Sequence, residues 1–440
     1  MKRSKIFLVP AVVAFGLALA QGSNTGSSTS TSNQPPAGGP QNTVFYTNHI
    51  KAVTAITEVF GDGQQTTAAV LEYDTPIKNS SLSKTDFTVS GRTVTKVYAN
   101  THAAKATSGR DGRFVVLELN ILVPGASSST ATASLFGANS LTVNQAAAVQ
   151  TVSGKSYAPT PSPLSNTRQT NLVVDDFQQF RYTDPTTGLR LDYNLYIPKG
   201  YSRAQKYPLV LFLPDASVTG DNPYATLTQG LGAVVWASPA SQAKHPAFVL
   251  APQPPVALAN DNSQTSDYAD VIVRLIRSLE KRYSIDNNRL YTTGQSGGCM
   301  TSIALNIKYP DLFAASFLVA GQWDPTKVPP MAKNKLWIVV SQDDSKAYPG
   351  MNAIVPVLQQ NGAKVTQAVW NAKASAAEFQ SDVEAILKAG PDSNVYYVSF
   401  DKGTVIPAGQ TSNPGAGHIY TWYYAYTIEG IRDWLFRQHK

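Results

Sequence analysis

One cysteine, Cys299, is all that the 440-residue chain contains. No intramolecular disulfide can form and no thiolate cluster can hold a structural metal, so stability must come from packing. Charge is scarce as well. Asp, Glu, Lys and Arg make up 15% of the residues, against the roughly 25% usual in soluble domains, and Ser, Thr, Asn and Gln must carry much of the polar surface. The 36 basic and 29 acidic residues leave a formal charge of +7, but they are scattered singly and no Lys/Arg-rich stripe follows the extreme N-terminus. Nucleic acid is therefore not an expected partner. No H-E-x-x-H, C-x-x-C, Walker loop or dinucleotide fingerprint occurs, so neither a metal nor any other cofactor is implied.

Long apolar runs are also missing, apart from Ile6 to Ala20. That run is shorter than the ~20 residues needed to span a bilayer. Lys2, Arg3 and Lys5 precede it, and Leu17-Ala18-Leu19-Ala20 ends it before Gln21, the pattern of a secretory signal over residues 1–20. The mature protein is expected outside the cytoplasm, secreted, periplasmic or on the cell surface, without membrane insertion. No Cys follows the cleavage site to carry a lipid.

What is present points to two folded domains, because single cores stop growing at roughly 250–300 residues. Residues 21–44 are mostly Ser, Thr, Gly, Pro, Asn and Gln with almost no large apolar side chain, and read as a flexible linker. Residues 45–160 carry short apolar runs, Ala68 to Tyr73, Phe87 to Val89, Val94 to Tyr98 and Phe114 to Leu119. Turn signals such as Gly61-Asp62-Gly63 and Asp111-Gly112 separate them, which predicts a β-sandwich. His49 and His102 fall here without an accompanying Ser or Cys motif, so this domain is read as structural or docking, with polymer binding as the alternative. A Pro-rich stretch, Ala158 to Ser165, marks the boundary. Over residues 170–440, apolar strands (Pro208 to Leu213, Arg289 to Thr293, Ala315 to Val319, Leu336 to Val340, Val395 to Phe400) alternate with helical segments. The last helix is placed near Tyr423 to Phe436. This is an α/β fold with a mostly parallel sheet covered on both faces.

Gly294-Gln295-Ser296-Gly297-Gly298 fits G-x-S-x-G, in which flanking glycines permit a sharp turn that exposes the serine. Its setting agrees: the β-rich Arg289-Leu-Tyr-Thr-Thr leads in, Met300, Ile303, Ala304 and Ile307 follow at helical spacing, and Tyr309-Pro310 stops the helix. With the serine first, acid and base should follow in the order Asp/Glu, then His. His418 and His439 remain as bases. His439 is penultimate, at a chain end prone to fray, whereas His418 is expected in the loop Pro414-Gly-Ala-Gly-His, free to reach Ser296. Of the carboxylates between them, Asp343 and Asp344 directly follow an apolar strand, where the third member should sit. Asp344 is preferred, with Asp343 as its solvated neighbour. The oxyanion N–H groups should be those of Gly297 and of Asp215 or Ala216, because Pro214 has none. Cys299 reads as packing, and Trp323 as either pocket lining or core.

These stretches resemble the bacterial two-domain esterases that place an Ig-like domain before an α/β-hydrolase domain, relatives of the polyhydroxybutyrate depolymerases and feruloyl esterases. The resemblance lies in Glu72-Tyr-Asp-Thr-Pro-Ile, Gly294-Gln-Ser-Gly-Gly-Cys-Met, Val340-Ser-Gln-Asp-Asp-Ser-Lys-Ala-Tyr-Pro-Gly-Met-Asn and His418-Ile-Tyr-Thr-Trp-Tyr-Tyr-Ala-Tyr. It implies Ser296 as nucleophile, His418 as base, Asp344 as acid, and activity on short to medium acyl esters. Many relatives carry His-Gly in the oxyanion loop where this sequence has Pro214-Asp215. A peptidase or polyester depolymerase on the same residues, and a non-catalytic polymer-binding surface protein, are the alternative functions.

Overall fold

The computed structural model describes residues 48–122, 140–410 and 414–440. The expected signal and linker, residues 1–20 and 21–44, lie outside them. From Asn48 onward the chain forms one compact unit.

Its N-terminal part is two facing β-sheets. One has five strands in the order Arg168–Asn171, Ile50–Phe60, Gly63–Ile77, Gly112–Leu119, Val94–Asn100, and the other has Phe87–Val89, Thr142–Gln145 and Leu164–Ser165. Side chains alternate across a strand. Leu71, Tyr73, Val115 and Leu117 therefore enter the core between the sheets with Phe87 and Val143, while Val70 and Val116 pack on the other face with Ile56 and Tyr98. The Gly61-Asp62 turn between the two longest strands meets the second part of the chain. A Cβ on Gly61 would fall 2.6 Å from Tyr423 Cγ. Burial there pushes the Asp62 carboxyl above its ordinary value, against the pull of hydrogen bonds from Gln65 and Tyr423.

The second part is built on a nine-stranded sheet. In chain order its strands are β1 (Gln178–Thr183), β2 (Arg190–Tyr196), β3 (Tyr207–Leu213), β4 (Phe248–Gln253), β5 (Ile285–Gln295), β6 (Ala315–Val319), β7 (Leu336–Ser341), β8 (Val365–Trp370) and β9 (Val395–Phe400). Their spatial order is β1-β2-β4-β3-β5-β6-β7-β9-β8. β2 is antiparallel to both neighbours, and every later pairing is parallel. Helices cover both faces, so β3 is buried throughout. Val210 and Phe212 pack with Trp236, Phe317 and Trp337 on one side, and Leu209, Leu211 and Leu213 pack with Ile272 and Ile276 on the other. That double burial is why the strand sequences show no polar alternation.

The helices that matter below are α1 (Leu231–Ala237), α2 (Tyr268–Arg282), α3 (Gly297–Lys308), α4 (Ala347–Gln360), α5 (Ala376–Ala389), α6 (Pro414–Ala425) and α7 (Glu429–Phe436). The terminal helix is thus two helices, and Pro414-Gly-Ala-Gly-His is the start of α6, not a loop. The glycines there serve contact: a Cβ on Gly417 would fall 2.3 Å from the Asp343 carbonyl oxygen. Among the described residues no helix is long and apolar enough to cross a membrane.

Candidate active site

β5 delivers Ser296 at its C-terminal end and α3 begins at the next residue. Between them Ser296 takes φ 51° and ψ −119°, a left-handed conformation that an L-residue adopts at a cost. Two bonds hold it. Its N–H donates to the Val319 carbonyl at 3.1 Å, and its carbonyl accepts from Met300 N–H at 3.0 Å. Gly298 lets α3 lie against β3, since a Cβ there would fall 2.0 Å from the Leu213 carbonyl oxygen.

His418, on α6, places Nε2 2.8 Å from Ser296 Oγ and Nδ1 2.5 Å from Asp344 Oδ2. Trp422, one turn on, meets the imidazole edge-on at 5.1 Å. Asp344 follows β7 and is 2% exposed. Its Oδ1 accepts from the N–H groups of Lys346 and Ala347, each at 2.9 Å. Burial pushes this carboxyl up, but the bond and charge of His418, with the two backbone donors, hold it below its ordinary value. An ionised carboxylate only accepts, so Nδ1 carries the proton and Nε2 presents a lone pair to the Ser296 hydroxyl.

Other imidazoles have carboxylates too. His245 pairs with Asp433 at 2.9 Å and stacks on Phe436, and His49 pairs with Asp74 at 2.9 Å and stacks on Tyr157. Among the described residues neither has a serine hydroxyl on its ring. His102 bonds Thr101, and the His439 backbone carbonyl accepts from Lys335. Asp343 turns away from His418, its Oδ2 accepting Gly403 N–H at 2.6 Å. It is half-buried and not merely solvated.

The loop after β3 approaches the elbow from the other side. The Ala216 nitrogen is 2.9 Å from where a Cβ of Gly297 would stand. Asp215 N–H donates to Gln229 Oε1 at 3.3 Å, Ser217 N–H donates to Asp215 Oδ1 at 2.8 Å, and Val218 N–H donates to the Asp215 carbonyl at 3.2 Å. Among the described residues nothing accepts from Ala216 N–H. Gly297 N–H, in the first turn of α3, has no acceptor within its helix. Two amides without an acceptor among the described residues therefore lie at the elbow that carries Ser296.

A family profile described as "Esterase Ig-like N-terminal domain" matches residues 52–158. A second, described as "Putative esterase", matches residues 185–405, half of the chain. The chain belongs to this esterase family. Among solved structures, the esterase is similar to one described as a thermostable esterase, with 29% identity over 89% of this chain and 100% of that chain and a TM-score of 0.74. It also matches the feruloyl esterase module from Clostridium thermocellum at 13% identity, over 57% of this chain and 87% of that one, with a TM-score of 0.38. That second likeness is too distant to bear on function. No curated protein matches the chain.

Two other residues singled out in the sequence lie in the body of the esterase. Burial pushes the Cys299 thiol far above its ordinary value, more than its two backbone hydrogen bonds lower it, so it is no nucleophile at neutral pH. Trp323 is buried among Met300, Val328 and Met331. Sequence reasoning missed Gln229 and gave Gln295 no role, although Gln295 is the variable residue before the serine. Gln295 Nε2 donates to Gln229 Oε1 at 3.2 Å, a meeting that no spacing in the sequence signals.

Proposed function

We propose that this esterase is a secreted serine carboxylesterase that hydrolyses short to medium acyl esters through an acyl-enzyme on Ser296. The observation that carries this reading is the unbroken line from Asp344 through His418 to Ser296, at 2.5 and 2.8 Å. His418 Nε2 takes the hydroxyl proton as Ser296 Oγ attacks the ester carbonyl carbon. The developing oxyanion accepts from Gly297 and Ala216 N–H, and such donors act most strongly on the charge that appears in the transition state. The tetrahedral intermediate then expels the alcohol, which receives the proton from the imidazolium. Water, deprotonated by the same nitrogen, attacks the acyl-enzyme and releases the acid. Asp344 holds the Nδ1–H tautomer throughout and stabilises the charged ring.

Export rests on the N-terminal pattern, and the N-terminus of secreted protein is expected to be Gln21. A fluorophosphonate probe should add covalently to Ser296, mapped by peptide mass. Alongside, p-nitrophenyl esters of increasing chain length should turn over where amide and polyester substrates do not. An unlabelled Ser296 in folded protein would contradict the mechanism, and faster amide or polymer cleavage would contradict the substrate class.

A further inference from the structure

An oxyanion hole made of backbone amides works only if its loop is held still, and the loop after β3 begins with Pro214, which has no N–H to anchor it. The geometry points to Gln229 as the positioning residue that sets this loop, through a side-chain clamp shared with Gln295. This inference rests on Ser296 being the nucleophile.

Gln229 is half-buried and Gln295 fully so. Gln229 Oε1 receives two donors, Asp215 N–H at 3.3 Å and Gln295 Nε2 at 3.2 Å. Its own Nε2 donates to the Thr226 carbonyl at 3.2 Å. Thr226 is fixed in turn to the end of β4: its N–H and Oγ1 donate to Gln253 Oε1 at 3.0 and 2.8 Å, and Oγ1 also reaches the Pro252 carbonyl. One amide side chain therefore joins the residue before Ser296, the residue before Ala216 and the end of β4. Engaging Asp215 N–H fixes the Pro214–Asp215 peptide, one unit before the Ala216 amide whose nitrogen lies beside Gly297.

A second observation supports the clamp. Gln295 Oε1 is buried and has no partner among the described residues. Because Gln229 must offer an acceptor to Asp215 N–H, Gln295 must offer its nitrogen to Gln229, and its oxygen is left unpaired. Buried unpaired acceptors are costly and uncommon. A methionine or leucine would fill the same space without that cost, which is the pattern of a residue retained for its donor.

The test is Gln229→Met, which keeps volume and removes the acceptor, with Gln295→Met as a second variant should the first not fold. Both are assayed with p-nitrophenyl acetate and with a trifluoromethyl ketone, which binds as a tetrahedral adduct, against its methyl ketone counterpart. We expect kcat to fall roughly tenfold to a hundredfold with little change in KM, as for a misplaced oxyanion donor. Trifluoromethyl ketone affinity should fall by the same factor while methyl ketone affinity holds. The double variant should lose little more than either single one, because both break one clamp. An unchanged kcat, or equal losses for the two ketones, would overturn the clamp. Failure of wild-type Ser296 to react with a fluorophosphonate would instead overturn the nucleophile on which it rests.

Discussion

Two adjacent carboxylates with different partners make the sharpest contrast among single residues. Asp344 is buried against His418 Nδ1, whereas Asp343 accepts from Gly403 N–H. In Asp344→Asn the amide can offer its NH2 to Nδ1, which moves the ring proton to Nε2 and turns a donor toward Ser296. By analogy with other triads, kcat should drop about 10⁴-fold with KM nearly unchanged, as steady-state assay of a p-nitrophenyl ester would show. Asp343→Asn should keep most of the activity in the same assay, and equal losses in the two variants would contradict the assignment. Cys299 supplies a negative control, since its thiol is buried and held protonated. Iodoacetamide at mildly alkaline pH should leave the native protein unmodified by intact mass and fully active.

Among the elements, α6 depends on a missing side chain to reach its place. A Cβ at position 417 would sit 2.3 Å from the Asp343 carbonyl oxygen and 2.7 Å from Asp343 Cβ, so Gly417→Ala must push the helix off the loop after β7, and His418 moves with it. A displacement near 1 Å at a catalytic group costs on the order of 10²-fold, so kcat should fall steeply while circular dichroism still reports a folded protein. Unchanged kcat would mean that the loop yields instead of the helix. This element also shows what the sequence conceals. Glycines at 415 and 417 read as a loop by composition, yet both lie in a helix, and Gly417 is where that helix is cut back for close approach. β8 escaped notice because it is the sheet edge, where Val369 is 59% exposed and the apolar run is broken by Thr366 and Gln367. β4 was hidden by Pro252 near its end. The buried strands β3, β6, β7 and β9 were legible because two covered faces leave a nearly unbroken apolar run, and β5 and Ser296 were legible because strand, glycine turn and helix are contiguous. The order Ser, Asp, His pointed to the residues the structure brings together, but Gln229 joins three segments distant in sequence and leaves no pattern to read.

Across the whole molecule the carboxylates decide how folding responds to acid. Asp184 is fully buried and takes two bonds from Arg274 at 2.7 and 3.0 Å, with further bonds from Thr187. The Arg274 bond, against the opposing effect of burial, holds it well below the usual carboxylate range. Asp344 is lowered as well. A carboxyl whose folded pKa lies below its unfolded value of about 3.9 contributes stability at higher pH, and loses it as pH falls through the folded value. Asp62, raised by burial, works in the opposite sense and is relieved by protonation. Because lowered groups span both parts of the chain, Asp74 among them, the urea midpoint should fall as pH drops below about 4. Asp184→Asn should cost roughly 2–3 kcal/mol at neutral pH, less than a wholly buried pair because Arg274 is partly exposed, and should flatten that acid limb. A midpoint that rises on acidification would contradict this assignment of charges. The fold brings three distant side chains to one point, and replacing the first of them tests the proposed chemistry most directly. Ser296→Ala, confirmed as folded by its unfolding temperature, should hydrolyse p-nitrophenyl acetate no faster than a level roughly 10⁵–10⁶-fold below wild type. Retention of a substantial fraction of wild-type turnover by that folded variant would place the chemistry elsewhere.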